Sequence, residues 1–131
     1  MTNISNKKTS GADYELALSE ISKFIGKLKA DNASYFVTEL LSDAESIMIV
    51  KRFAAILMFN NKLSSYRAST VLGMSLSTAQ RLYTQYEEGR YNKMLECLKP
   101  KEKSRFMSLI EDLIMAQVSP RARARLYNRV L

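Results

Sequence analysis

Apolar residues recur every three to four positions along most of the chain, and no stretch alternates with a period of two. That spacing marks helices, and the missing alternation leaves no candidate strand. Tyr14, Ala17, Leu18, Ile21, Ile25 and Leu28 predict an amphipathic helix over about residues 13–30. Gly26 weakens it by about 1 kcal/mol. Asp31 and Asn32 read as breakers or caps, and a short helix follows from about Ala33 to Leu41. Ser42 and Glu45 have the spacing of a capping box, each side chain reaching the other's backbone amide. The helix they open runs to about Phe59 and is apolar on nearly every side from Ile47 onward, interrupted only by Lys51 and Arg52 among its longer side chains. A helix apolar all round is buried all round. In so small a chain that predicts an obligate dimer, in which partner helices supply the remaining cover. Asn60 and Asn61 are read as its end.

Two short helices are predicted over about residues 64–72 and 75–87, with Gly73 between them and Gly89 after. A further short helix is predicted near 91–98. Pro100 begins another, with Phe106, Leu109, Ile110, Leu113, Ile114 and Gln117 on its stripe. Ser119 and Pro120 cap a last helix over about 120–130. The resulting plan is all-α. It comprises a flexible tail (1–12), a helical dimerisation and binding domain (13–98) and a C-terminal helical extension packing on it (99–131).

Composition narrows the class. A chain of 131 residues with 47% hydrophobic content is a single globular domain by size. No run of about 18 apolar residues could span a bilayer, and the polar start lacks an apolar signal segment. The lone Cys97 excludes an intramolecular disulfide and reads as a buried small hydrophobe in a reduced, cytoplasmic, nucleoid-associated setting. Histidine is absent, which removes histidine-based acid–base or metal chemistry. The pairs Asp43/Glu45, Glu87/Glu88 and Glu111/Asp112 read as helix starts, ends or solvated faces. No enzyme, cofactor or metal is expected.

Charge then points to a partner. The net charge is +7. Residues 1–63 hold eight basic and seven acidic groups, whereas residues 64–131 hold twelve and six. No acid occurs between Glu45 and Glu87, while Lys51, Arg52, Lys62, Arg67 and Arg81 fall inside that stretch. A surface that meets phosphates needs this, since a carboxylate would be repelled. Residues 64–86 also have the plan of a helix-turn-helix. Ala68 and Leu72 face inward, Ser69 is small where helices approach, and Gly73 permits a left-handed turn. Met74 plugs that turn into the core, Ser75 caps the second helix, and Ala79 and Leu82 anchor it. The remaining face holds Leu76, Ser77, Thr78, Gln80, Arg81, Thr84 and Gln85. Arginine pairs with guanine and glutamine with adenine in the major groove.

The stretch from about Leu40 to Gly89 resembles the Trp repressor superfamily, in its branch of small Trp-repressor-like proteins. The likeness rests on Leu40-Leu41-Ser42-Asp43-Ala44-Glu45, on Arg52 within the long helix, on residues 73–81 (GMSLSTAQR) and on Gly89. It implies an intertwined homodimer with two helix-turn-helix readers about 34 Å apart, one DNA turn. By position, Leu76, Ser77, Thr78 and Gln80 would face the major groove, with Tyr66, Arg67 and Ser69 on the helix approaching the backbone. Where the tryptophan-sensing member has a glycine after the arginine matching Arg81, this chain has Leu82. The indole pocket is therefore expected to be closed and tryptophan not to act as corepressor.

The resulting expectation is a sequence-specific regulator of double-stranded DNA, acting as a repressor. Its contacts would be Tyr66, Arg67, Ser75, Leu76, Ser77, Thr78, Gln80, Arg81 and Thr84, with accessory phosphate contacts from Arg121, Arg123, Arg125 and Arg129. The alternative is a helical dimeric interaction module without specific DNA binding.

Overall fold

The computed structural model describes residues 10–116 and residue 121, with side chains described for 10–112 and 121. The described residues are all-helical, in the order α1 (Gly11–Lys27), α2 (Ala30–Leu40), α3 (Asp43–Asn60), α4 (Ser65–Leu72), α5 (Leu76–Glu87), α6 (Asn92–Glu96) and α7 (Pro100–Ala116). The chain separates between Ser46 and Ile47 into two compact units. The predicted stripe residues Leu113, Ile114 and Gln117, the cap at Ser119 and Pro120, the last helix, and Arg123, Arg125 and Arg129 lie outside the described side chains. Among the described residues no helix is long and apolar enough to cross a membrane.

The first unit carries α1 and α2. Ser10 and Asp13 form a capping box at the start of α1, so the helix begins at Gly11, two residues before the apolar periodicity starts. Asp31 and Asn32 lie inside α2 and do not break it. Asp31 sits in the first turn, where a carboxylate meets the positive end of the helix dipole. Neither helix contains a buried residue, and Leu16, Leu18, Phe24, Tyr35 and Leu40 are each more than 60% exposed.

The second unit is built round the C-terminal half of α3. Ala54, Ala55, Ile56, Leu57, Met58 and Phe59 are all at most 3% exposed. Six consecutive residues turn through more than a full helical circle at 3.6 residues per turn. This half of α3 is therefore enclosed on every side. One group of its residues, Ala55, Met58 and Phe59, packs with Ala68 of α4 and Leu82 of α5. The other, Ile56 and Leu57, packs with Leu95 of α6. Tyr86, Tyr91 and Met107 touch both groups. Phe59 meets the ring of Tyr83 edge-on at 5.1 Å, and Phe53 meets Phe106 of α7 at 4.7 Å. The N-terminal half of α3 differs sharply: Ile47, Met48, Ile49 and Val50 are 44–55% exposed.

Caps and turns fix the helix ends. The capping box at α3 forms as the spacing predicts: the Ser42 N–H donates to Glu45 Oε1 at 2.9 Å, and the Glu45 N–H to Ser42 Oγ at 3.1 Å. The Ser42 N–H, and after it the Ser42 side chain, hold the Glu45 carboxyl below the usual glutamate range. Three helices end on a left-handed residue followed by an amide that reaches back five positions. Lys62, Gly73 and Gly89 take the positive φ, at 67°, 68° and 86°. The returning bonds are Leu63 N–H to Met58 O, Met74 N–H to Ser69 O and Arg90 N–H to Gln85 O. This is the Schellman arrangement, which satisfies carbonyls that a helix end otherwise leaves open. α3 ends at Asn60, where the sequence places its end, and the left-handed residue that follows is Lys62. Cys97, expected to be buried, is exposed at the end of α6. The burial in that short helix falls to Leu95.

Two measurements check these assignments. Lys62→Gly removes a strained left-handed side chain and is expected to raise the unfolding free energy by about 1 kcal/mol, read as a higher urea midpoint. Gly73→Ala has room, the nearest atom to a new Cβ being Lys51 Nζ at 3.7 Å. Its cost is purely conformational, about 1–2 kcal/mol in the opposite direction. For Glu45 the sign is set by its lowered folded-state pKa. The stabilisation is present above the unfolded value of about 4.3 and disappears as pH falls through the folded value. Glu45→Gln is expected to flatten that part of the acid-unfolding profile followed by circular dichroism.

Candidate nucleic-acid interface

Helices α4 and α5 pack on one another, joined by the three-residue turn Gly73, Met74 and Ser75. Close approach requires small side chains, and Ala68 and Ala79 are fully buried. The Ser69 hydroxyl donates to Met74 O at 2.7 Å, so this side chain holds the turn as well as being small. Lys51 of α3 donates from Nζ to Gly73 O at 3.0 Å. A cation at the C-terminal end of α4 also meets the negative end of that helix dipole. Sequence reading missed this contact, since nothing local links positions 22 residues apart. Met74 packs against the core as expected.

Ser75 caps α5. Its Oγ accepts from the Thr78 N–H at 3.1 Å and donates to Thr78 Oγ1 at 2.8 Å, with Ser77 Oγ at 3.3 Å. Inward-facing Ala79 and Leu82 are buried, and Tyr83 and Tyr86 pack beside them. Helical spacing then sets Ser77, Gln80, Arg81 and Thr84 on the outward face, all exposed, with Leu76 at 42%. Thr78 is half-buried. On α4, Tyr66 is 68% exposed and Arg67 is exposed.

The predicted set thus divides. The oxygens of Ser75 and Thr78 are engaged in capping. The side chains of Gln80, Arg81 and Thr84 on α5, and of Tyr66 and Arg67 on α4, make no hydrogen bond or ion pair within the described residues. Arg121 is exposed.

The first acid after Glu45 is Glu87, at the far end of α5, roughly 15 Å along the axis from Ser77 at 1.5 Å per residue. It stands beside Tyr83 and holds the phenol above its ordinary range, chiefly by accepting a hydrogen bond from it. The flank of α5 facing α3 bears Thr78, Arg81, Leu82 and Gln85. Together with Met48, Lys51, Arg52 and Met74, the first three border an open cleft of about 160 Å³. Leu82, 4% exposed, forms part of its wall.

Comparison with known protein families, curated proteins and solved structures finds no match to this chain. The geometry of the α4–α5 pair therefore stands on its own residues.

Ser69→Ala and Lys51→Met each remove one hold on the turn. Each is expected to cost about 1 kcal/mol in equilibrium unfolding, the usual worth of one hydrogen bond. A double-mutant cycle should show coupling between them, because both act on the same three-residue turn.

Proposed function

We propose that this protein is a sequence-specific, double-stranded DNA-binding transcriptional regulator that acts as a repressor. On this reading α4 and α5 are a helix-turn-helix, with α5 entering the major groove. The observation that carries it is the outward stripe of Ser77, Gln80, Arg81 and Thr84. These are groove-reading residue types on a helix anchored by buried Ala79 and Leu82, in a stretch without acid until Glu87. Gln80 and Arg81 have the donor patterns that pair with adenine and guanine edges. Tyr66 and Arg67 on α4 would meet the phosphate backbone, and the capped start of α5 would lie nearest the bases.

The working form on this reading is a homodimer of the Trp-repressor-like kind. Support comes from the apolar side chains the single chain leaves open. Ile47, Met48, Ile49 and Val50 follow one another round α3, so no single neighbouring helix could cover all four. Covering the exposed half of each by a second copy would contribute roughly 1 kcal/mol per side chain. α1 and α2 offer further apolar surface of the same kind. Leu82 in place of a glycine supports a regulator that does not respond to tryptophan. The second reading, a helical interaction module without specific DNA binding, draws on the same open apolar faces.

Fluorescence anisotropy against a randomised duplex pool, with a single-stranded RNA control and two salt concentrations, separates them. Recovery of a dyad-symmetric site is expected. Arg81→Ala should cost about 1–3 kcal/mol at one base position. Arg67→Ala should weaken all sequences alike and lower the salt slope by about one. Binding that is weak, equal for all sequences and indifferent to Arg81→Ala would leave the interaction module. Sedimentation equilibrium should give a dimer, with Ile49→Asp shifting it toward monomer.

A further inference from the structure

Three arginines from separate places in the chain border one open cavity of about 200 Å³. They are Arg52 of α3, Arg81 of α5 and Arg90 of the turn after α5, and Leu82, Gln85 and Tyr91 complete its lining. No acidic residue contributes to that lining. Among the described residues none of the three guanidiniums has an ion-pair or hydrogen-bond partner.

Local structure explains how they meet. Arg81 and Gln85 are four residues apart, on one flank of α5. Gly89 then takes φ 86°, and the Arg90 N–H bonds back to Gln85 O at 3.1 Å. The chain reverses there and brings Arg90 and Tyr91 alongside the helix end. A Cβ at position 89 would stand 3.0 Å from Asn92 Nδ2, the movable end of a side chain, so it is the positive φ that favours glycine there. Tyr91 donates its hydroxyl proton to Gln85 Oε1 at 2.7 Å. That occupies the amide's acceptor and leaves its Nε2 with donors to offer.

The residues lining the cavity therefore bring three positive charges and an amide donor, and no anionic group. Like charges held together repel, and an anion between them relieves the repulsion. Guanidinium forks bind tetrahedral oxyanions through paired hydrogen bonds. A carboxylate would bring one charge and two oxygens. A free phosphate or phosphate monoester brings up to two charges and at least three free oxygens, and a duplex backbone brings one charge and two free oxygens at each of several successive phosphates; either suits three arginines better than a single carboxylate. We propose that the Arg52–Arg81–Arg90 cavity is a phosphate-binding site. The phosphate comes either from a free phosphate compound, independently of the DNA reading, or from the backbone of a bound duplex, in which case the site rests on the DNA reading and Arg81 meets phosphate in place of a guanine edge.

The test titrates the full chain with inorganic phosphate and with pyrophosphate by calorimetry, at an ionic strength held constant with chloride. Duplex binding is measured in parallel. Arg52→Ala, Arg90→Ala and Arg90→Lys are compared, and all substitute exposed side chains. Saturable binding of either probe, weakened about tenfold or more in both alanine variants, is the expected result for a free phosphate. Arg90→Lys should recover only part, because lysine keeps the charge and loses the fork. If neither probe titrates, but both alanine variants weaken duplex binding and lower its salt slope by about one, the phosphate is the DNA's. Probe binding by a chain that binds no duplex would keep this site and remove the proposed function. No titration, with duplex binding either absent or unchanged in both alanine variants, overturns the site.

Discussion

The enclosure of residues 54–59 of α3 is the constraint on which the second unit depends. An isolated helix of this kind would expose apolar side chains in every direction, so it is stable only when neighbours surround it. α4 and α5 cover one group of these residues, and α6 covers the other with Phe106 and Met107 of α7. Because the helix is enclosed all round, moving any one neighbour exposes part of it. The orientation of α5 is thus tied to the same core that holds α3. Tyr86, Tyr91 and Met107 couple the two groups, so the arginine cavity beside Tyr91 shares that rigidity.

A second theme is the division of polar groups near the α4–α5 turn. Some are spent inside the structure: Ser64 and Ser75 cap helices, Ser69 and Lys51 hold the turn. Others remain open to a partner, namely Gln80, Arg81 and Thr84 on the outward stripe. The separation has a simple cause. A side chain at a helix start faces the open amides of the first turn. One placed a turn or more further on has its neighbouring amides already bonded and points outward.

The two halves of α3 have contrasting surroundings although their composition is similar. Residues 54–59 are enclosed by their own chain, while Ile47, Met48, Ile49 and Val50 are about half exposed. The same apolar pattern on one continuous helix thus meets two environments. This contrast, with the open faces of α1 and α2, underlies the proposal of a second copy.

Much of this was legible along the chain, because helices are encoded locally. Apolar spacing together with caps and breakers places the seven helices of the described residues to within about three residues, the Ser42/Glu45 box starts α3 as expected, and Gly73 turns as its missing Cβ allows. The inward pair Ala79 and Leu82, and hence the outward stripe, follow from 3.6-residue periodicity alone. Local signals misled where alternatives were close in energy. Asp31 and Asn32 suit a first turn as well as a break. Cys97 was judged by residue type, although burial depends on which face of a five-residue helix meets the core. Only the tertiary structure decided the contacts between distant positions: Lys51 on the Gly73 carbonyl, Tyr91 on Gln85, and three arginines around one cavity. Those depend on how helices lie against one another. Helix packing is set by the summed shape of many side chains, which no local spacing records.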